Sequence, residues 1–177
     1  MIIFDLSTLA DDSHRRHFID PYKNLIGGYD QADFKPGWKP DWQAYYDDID
    51  KDKPILPVFE IFNTIRQYDD VQVWSENFLS LKEKTIDWFL YKVPIRPTYW
   101  NKDSWNHVLK MRPEGNIQPY YKLKEEWMFE RCKIDDSFHP PGIKFNPGIE
   151  MVFDSDPDSI EMWRKNGIFC FDCRQNI

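Results

Sequence analysis

Apolar positions along this chain fall into two alternating rhythms. Short apolar runs occur at residues 1–6 (MIIFDL), 71–75 (VQVWS), 107–111 (HVLKM), 149–155 (IEMVFDS) and 168–173 (IFCFDC). They are too short for helices and rich in β-branched and aromatic residues, so they predict strands. Between them the spacing lengthens to that of a helix. Residues 54–68 place Val58, Phe62 and Ile65 on one face, with Pro54 suited to a first turn. Residues 78–92 turn Leu81, Thr85, Trp88 and Phe89 inward, residues 120–132 form a further helix, and residues 156–167 form one ending at Gly167. Strands separated by single helices predict an α/β fold: a parallel, Rossmann-like sheet with helices on both faces.

Two stretches break the rhythm. Residues 11–53 mix Pro, Asp and aromatics with little periodicity, and read as an insertion lying over the sheet edge, after the first strand. Residues 133–148 carry three Pro and two Gly and read as a long loop. With 177 residues the whole reads as one domain, 1–177, long enough to bury a sizeable core. Neither a repeat nor a low-complexity tract is present.

Composition narrows the function classes. A net charge of -7 argues against a general nucleic-acid coat, which needs clustered Lys and Arg. Aromatics reach 17%, enough to fill a core and also to line a binding face. No run is long enough for a membrane span and no leader is evident, so a cytoplasmic setting without membrane contact is expected. Three cysteines are too few for a disulfide framework. Cys170 and Cys173 form a C-x-x-C whose nearest further zinc ligand is His139, and buried thiols are the simpler reading.

In an open parallel sheet, ligands bind beyond the carboxyl ends of the strands. Those ends here carry Asp5, Ser7 and Thr8, then Ser75, then Asp154, Ser155 and Asp156. Lys124 arrives from the helix after the polar loop at 112–121. This set suits a phosphate and a hard cation. Asp5, Asp154 and Asp156 are the oxygen ligands for Mg²⁺. Ser75 and Lys124 neutralise phosphate oxygens, and Asp5 has the chemistry of an aspartyl-phosphate nucleophile. His14, Arg15 and Arg16 read either as anion-binding groups or as a solvated basic turn. Trp38, Trp42, Tyr45 and Tyr46 read either as a base-stacking surface or as packing for the insertion.

The order of these motifs resembles the haloacid dehalogenase superfamily, and within it the phage and bacterial branch related to the 3′-phosphatase domain of polynucleotide kinase. "DLSTLADDSHRRH" matches that branch's "DLDGTLADISHRRH"; Trp42, Ala44 and Tyr45 match its W-x-A-[FY]; "VWSENF" matches "IWSGRS". "MRPEGNIQPYYKLKEEW" and "VFDSDPDSIEMWR" match its third and fourth regions. The resemblance implies a cap after the first strand, Asp5 as nucleophile, Thr8 as the turn threonine, Ser75 and Lys124 as phosphate and motif residues, and Asp154 as the metal carboxylate. It implies substrate contacts from His14, Arg15 and Arg16, Mg²⁺ as cofactor, and a nucleotide or nucleic-acid 3′ end as ligand.

The match has three gaps. Ser7 replaces the family's general acid in a turn one residue shorter and without its Gly. Glu76 and Asn77 replace a Gly-Arg pair. Ser155 replaces a second carboxylate. Serine cannot deliver a proton near neutral pH, so the expectation is a degenerate phosphatase domain that binds phosphate or nucleotide with weak or no turnover. The alternatives are an active phosphatase using Asp11 or Asp156 as acid, and a protein-interaction module on the same scaffold with a protein partner. A polynucleotide kinase active site is not expected, since no G-x-x-x-x-G-K-[ST] occurs.

Overall fold

The computed structural model describes residues 1–20, 38–93, 100–135 and 148–174. At its centre is a five-stranded sheet built from β1 (Ile2–Asp5), β4 (Val71–Phe78), β5 (Leu109–Arg112), β6 (Met151–Asp154) and β7 (Phe169–Asp172). The strand order is β5-β4-β1-β6-β7, and every neighbouring pair is parallel. The chain order reverses at β1, so the crevice between β4 and β6, beyond the end of β1, is the topological switch point where such sheets bind ligands. The α/β reading with helices on both faces is therefore what the structure shows.

The period-2 pattern of each strand divides the core. Ile2, Phe4, Val71, Val73 and Phe153 face one side, against α3 (Leu56–Ile65), α4 (Lys82–Tyr91) and α5 (Lys102–Val108). Ile3, Trp74, Val152 and Cys170 face the other, against α6 (Tyr120–Asp135) and α7 (Pro157–Lys165). Both sides of β1 are covered, which is why its sequence is continuously apolar up to Asp5.

Several boundaries differ from the sequence expectation for physical reasons. The helix expected from residue 54 starts at Leu56, because Pro54 is held in a two-residue strand, β3 (Lys53–Pro54), paired antiparallel with β2 (Ala10–Asp11). Phe59 and Phe62 carry its buried face, while Val58 and Ile65 pack at the margin. Residues 102–108 are helical, capped by Asn101 through the Ser104 N–H, so the strand expected from residue 107 begins at Leu109. The strand expected to end at residue 75 continues to Phe78 through a bulge, which places Glu76 and Asn77 between two paired positions.

The β2–β3 pair closes the base of the insertion. Within it, α2 (Trp42–Asp47) is capped by Asp41, whose side chain accepts from the Ala44 N–H. From the described parts of the expected 11–53 insertion, Asp12, Arg15, Arg16, Tyr45 and Asp52 reach a cavity shared with Asp5 and Ser75; residues 21–37 are outside the described residues, as are residues 136–147 of the second long loop. Among the described residues no helix is long and apolar enough to cross a membrane.

Candidate active site

The turn after β1 is built on Asp5. Its Oδ1 accepts from the Ser7 N–H at 3.0 Å, so Asp5 caps the single helical turn α1 (Leu6–Leu9). Thr8 Oγ1 donates to the Asp5 carbonyl at 2.7 Å, tightening the same turn from within. Ser7 Oγ donates to Asp5 Oδ1 at 2.5 Å and lies 2.6 Å from Ser155 Oγ. Each serine has one hydroxyl proton. Because that of Ser7 points at Asp5, Ser155 must donate to Ser7. The two positions where carboxylates were lacking in the sequence thus meet as a directed hydroxyl chain, Ser155 to Ser7 to Asp5.

Lys124 binds the ends of β1 and β6 together. Its Nζ lies 2.8 Å from Asp5 Oδ2 and 2.7 Å from Asp154 Oδ2, and donates to Ser159 Oγ at 3.1 Å. The lysine is 1% exposed. Burial disfavours its charge, but the two carboxylates outweigh burial and raise its pKa, so it stays an ammonium across the accessible pH range. Asp154 is 0% exposed and accepts hydrogen bonds on both oxygens. Its Oδ2 also accepts from Trp163 Nε1 at 3.0 Å, and Oδ1 from the Asp156 N–H at 3.1 Å. Burial raises the Asp154 pKa, opposed by Lys124.

Asp156 is the cap of α7. Its Oδ2 accepts from Ser159 N–H at 2.9 Å and Ser159 Oγ at 2.5 Å. The D-x-x-S spacing of 156–159 is a sequence signature of that cap. Ser75 is buried in β4 just before the bulge, where its Oγ accepts from the Asn77 N–H at 3.1 Å. Asp5, Ser75 and Glu76 line one cavity, together with Asp12, Arg15, Arg16, Tyr45 and Asp52 from the insertion and its base.

The basic turn divides by role. Arg15 is buried, its Nε and Nη2 paired with the two oxygens of Asp52 at 2.6 and 2.7 Å, and Nη1 on the Tyr45 carbonyl. Its guanidinium lies 4.0 Å over the Tyr45 ring. Every face of that group is spent fixing the insertion to its base. Arg16 pairs with Asp12 but remains half-exposed, and it borders a second, wider cavity that Asp5 also lines. His14 Nδ1 lies 3.8 Å from Asp52 Oδ1, and its Nε2 is buried without a hydrogen-bond partner.

Two residues of the site carried no motif signal. Tyr120 precedes Lys124 by one helical turn, and Lys124 Nζ sits 4.1 Å from the centre of its ring. The Tyr120 hydroxyl is buried without an aligned hydrogen bond; burial and the Asp5, Asp154 and Glu76 charges hold it protonated, well above its usual range. Asp12 accepts from Arg16 Nε at 2.5 Å and from the Tyr45 hydroxyl at 2.6 Å. Glu76 stands at the pocket mouth, open to solvent yet crowded by protein. That crowding and the Asp5 charge push its carboxyl up, against Lys124 and Arg112.

A hard cation has Asp5 available and, on Asp154, the second lone pair of Oδ1 alone, since Oδ2 accepts from both Lys124 and Trp163. Asp5 Oδ2 is buried against the Lys124 ammonium at 2.8 Å, and of its two lone pairs one is left for a cation. Among the described residues no three His, Cys, Asp or Glu side chains converge on one point. The donor set fits Mg²⁺ in hardness and falls short in number, so water or a ligand would have to complete the shell. Cys170 and Cys173 are free thiols; burial pushes the former up to about 12 and the latter up to about 11, as inert thiols.

No protein-family model matches the chain, and no curated protein does. Among solved structures, a chain of one described as "Structure of Pnkp1/Rnl/Hen1 complex" superposes with a TM-score of 0.54 at 20% identity. The match covers 97% of this chain and 45% of that one, so this chain spans under half the length of its structural neighbour. The likeness is one of fold.

Proposed function

We propose that this chain is a haloacid-dehalogenase-like phosphatase domain with impaired catalysis. It binds the phosphate of a nucleotide or a nucleic-acid 3′ end, and hydrolyses it slowly or not at all. The observation that carries this reading is Lys124 clasping Asp5 and Asp154 at the switch point of the sheet, beside a serine pair where an acid is needed. The fold shared with a chain of the Pnkp1/Rnl/Hen1 complex supports the nucleotide-related part.

Each step has an assigned group. Asp5 has the position and chemistry of a nucleophile toward phosphorus. Ser75, and Arg16 at the rim, are the groups for phosphate oxygens. Lys124 holds the two carboxylates at a fixed separation. Asp5 and Asp154 are the residues that would hold Mg²⁺, which when bound offsets charge on the phosphate. Among the described residues no carboxyl stands at the Ser7 position to protonate a leaving alkoxide; Glu76, which lines the same cavity from the β4 bulge, replaces the Gly of the resemblance rather than its acid. Ser7 gives its one proton to Asp5, Asp156 is committed to α7, Asp11 Oδ1 accepts from the Ser13 N–H, and Asp12 accepts from Arg16 and Tyr45.

Calorimetric titration with adenosine 3′-monophosphate tests the binding half. Saturable binding that strengthens with Mg²⁺, and loses that dependence in Asp154→Asn, is the expected result. Binding without any Mg²⁺ effect would remove the cation from the account, and absence of binding would remove the phosphate site.

A further inference from the structure

The groove beside the phosphate pocket is a second built site. It is lined by Trp42, Tyr45 and Tyr46 of α2, by Glu76, Asn77 and Phe78 of the β4 bulge, and by the loop from Arg112 to Tyr120, with Ile19 at one end. Its volume is about 650 Å³. We propose that it is a subsite for the flat aromatic base of the ligand whose phosphate occupies the Asp5 pocket; this rests on the reading above.

The walls are aromatic and preset. Trp42 and Tyr46, one helical turn apart on α2, lie nearly parallel, 28° between planes with centroids 6.0 Å apart. Tyr46 meets Phe78 edge-on at 6.0 Å. Trp42 is 51% exposed, although α2 packs through Tyr45. An exposed indole braced by a second ring is a stacking platform, with much of its conformational entropy already lost.

The opposite wall is held by one cation. Arg112 donates from Nε to the Glu76 carbonyl at 3.0 Å, and from Nη1 to the Asn116 and Gln118 carbonyls at 3.2 and 2.7 Å. It thereby ties the loop to the bulge. Gly115, at φ +73°, makes the turn, and Ile117 at its tip is 92% exposed. Burying an isoleucine and a tryptophan that face water across one groove favours a planar apolar occupant. Asn77 and Asn116 add amides suited to the polar edge of a base.

Continuity selects the occupant. Ile19, Tyr45, Glu76, Pro119 and Tyr120 line both this groove and the wide cavity that reaches Asp5 and Ser155. A single molecule with an acidic end and an aromatic end spans the two. The wide cavity is lined by Asp5, Asp12, Asp20, Glu76, Asp156 and Asp158, whereas among the described residues the groove offers a neutral ring Glu76 as its one carboxylate, beside the engaged Arg112.

The test compares adenosine 3′-monophosphate, adenosine and inorganic phosphate by Trp fluorescence and calorimetry, on the natural chain, Trp42→Ala and Trp42→Phe. Base stacking predicts that Trp42→Ala weakens the nucleotide by about 5- to 150-fold while Trp42→Phe retains most of the affinity. Inorganic phosphate should bind both variants as it does the natural chain, which also reports their folding. Equal affinities of nucleotide and inorganic phosphate, unmoved by Trp42→Ala, would overturn the subsite and leave the phosphate reading standing. Adenosine that binds the natural chain but not Trp42→Ala, with no phosphate binding, would support the subsite and remove the phosphate reading. Failure of all three probes would overturn both.

Discussion

At the residue scale the site is organised by one buried charge. Asp5 and Asp154 belong to strands adjacent in space but 149 residues apart in sequence, and Lys124 is what makes their proximity tolerable. Removing the ammonium would leave two buried carboxylates facing each other. Lys124→Met is therefore expected to destabilise the fold by about 3–5 kcal/mol, read by urea denaturation. A loss under about 1 kcal/mol would show that the pair is not held as described. Glu76 gives the opposite kind of signal. Its carboxyl is raised by crowding and by Asp5, with Asp12 adding to the rise and Lys124 and Arg112 opposing it. Between the ordinary glutamate value and its raised one, the folded chain keeps a proton that the unfolded chain has released. Stability should fall as pH rises through that window, and Glu76→Gln should flatten the fall. Melting temperature against pH in the two proteins measures it; identical slopes would contradict the placement of Glu76 against Asp5.

At the scale of elements, the insertion is attached by a few directed bonds. Arg15 bridges the Asp52 carboxylate and the Tyr45 carbonyl, and Trp88 Nε1 donates to the Asp52 carbonyl at 2.8 Å. Arg15→Lys loses the two-pronged geometry. It is expected to loosen α2, seen as faster amide exchange in residues 42–47 with little change at the sheet. A variant that weakens ligand binding while exchange stays unchanged would assign Arg15 to the ligand instead. The α7 cap makes a parallel case. Asp156→Ala should cost about 1 kcal/mol through the lost cap, and an accompanying loss of Mg²⁺-dependent binding would give Asp156 the ligand role expected from the sequence.

At the scale of the molecule, the fold was largely legible in the sequence and the wiring of the site was not. Continuous apolar runs ending in polar residues mark strands buried on both faces, as in β1, β4 and β6, whereas β7 is an edge strand with Phe169 and Phe171 exposed, marked by its aromatic run alone. Residues 102–108 were missed because their helix starts from an Asn cap and buries chiefly Trp105, too little for a periodic signal. Asp154 is legible as a polar strand end and Lys124 by its place after the polar loop, and motif order adds the long-range information that brings them together. The contact of Ser7 with Ser155 was not readable, since each looks like a simple loss until the strand ends are brought together. Arg15 looked like an anion ligand because its partner, Asp52, lies 37 positions away.

Asp5 is proposed to stand in a phosphate site whose acid position is filled by Ser7. Loss of a positioned general acid lowers rate by about 10²–10⁴, so from a typical turnover near 10 s⁻¹ the natural chain should fall below about 0.1 s⁻¹. The direct measurement is phosphate release from adenosine 3′-monophosphate and a 3′-phosphorylated oligonucleotide with Mg²⁺. It compares the natural chain, Asp5→Asn, and a chain whose Asp5–Thr8 turn is rebuilt as Asp-Leu-Asp-Gly-Thr. The account expects slow or absent release by the natural chain and faster release by the rebuilt one. Release near 10 s⁻¹ by the natural chain, abolished by Asp5→Asn, would contradict it.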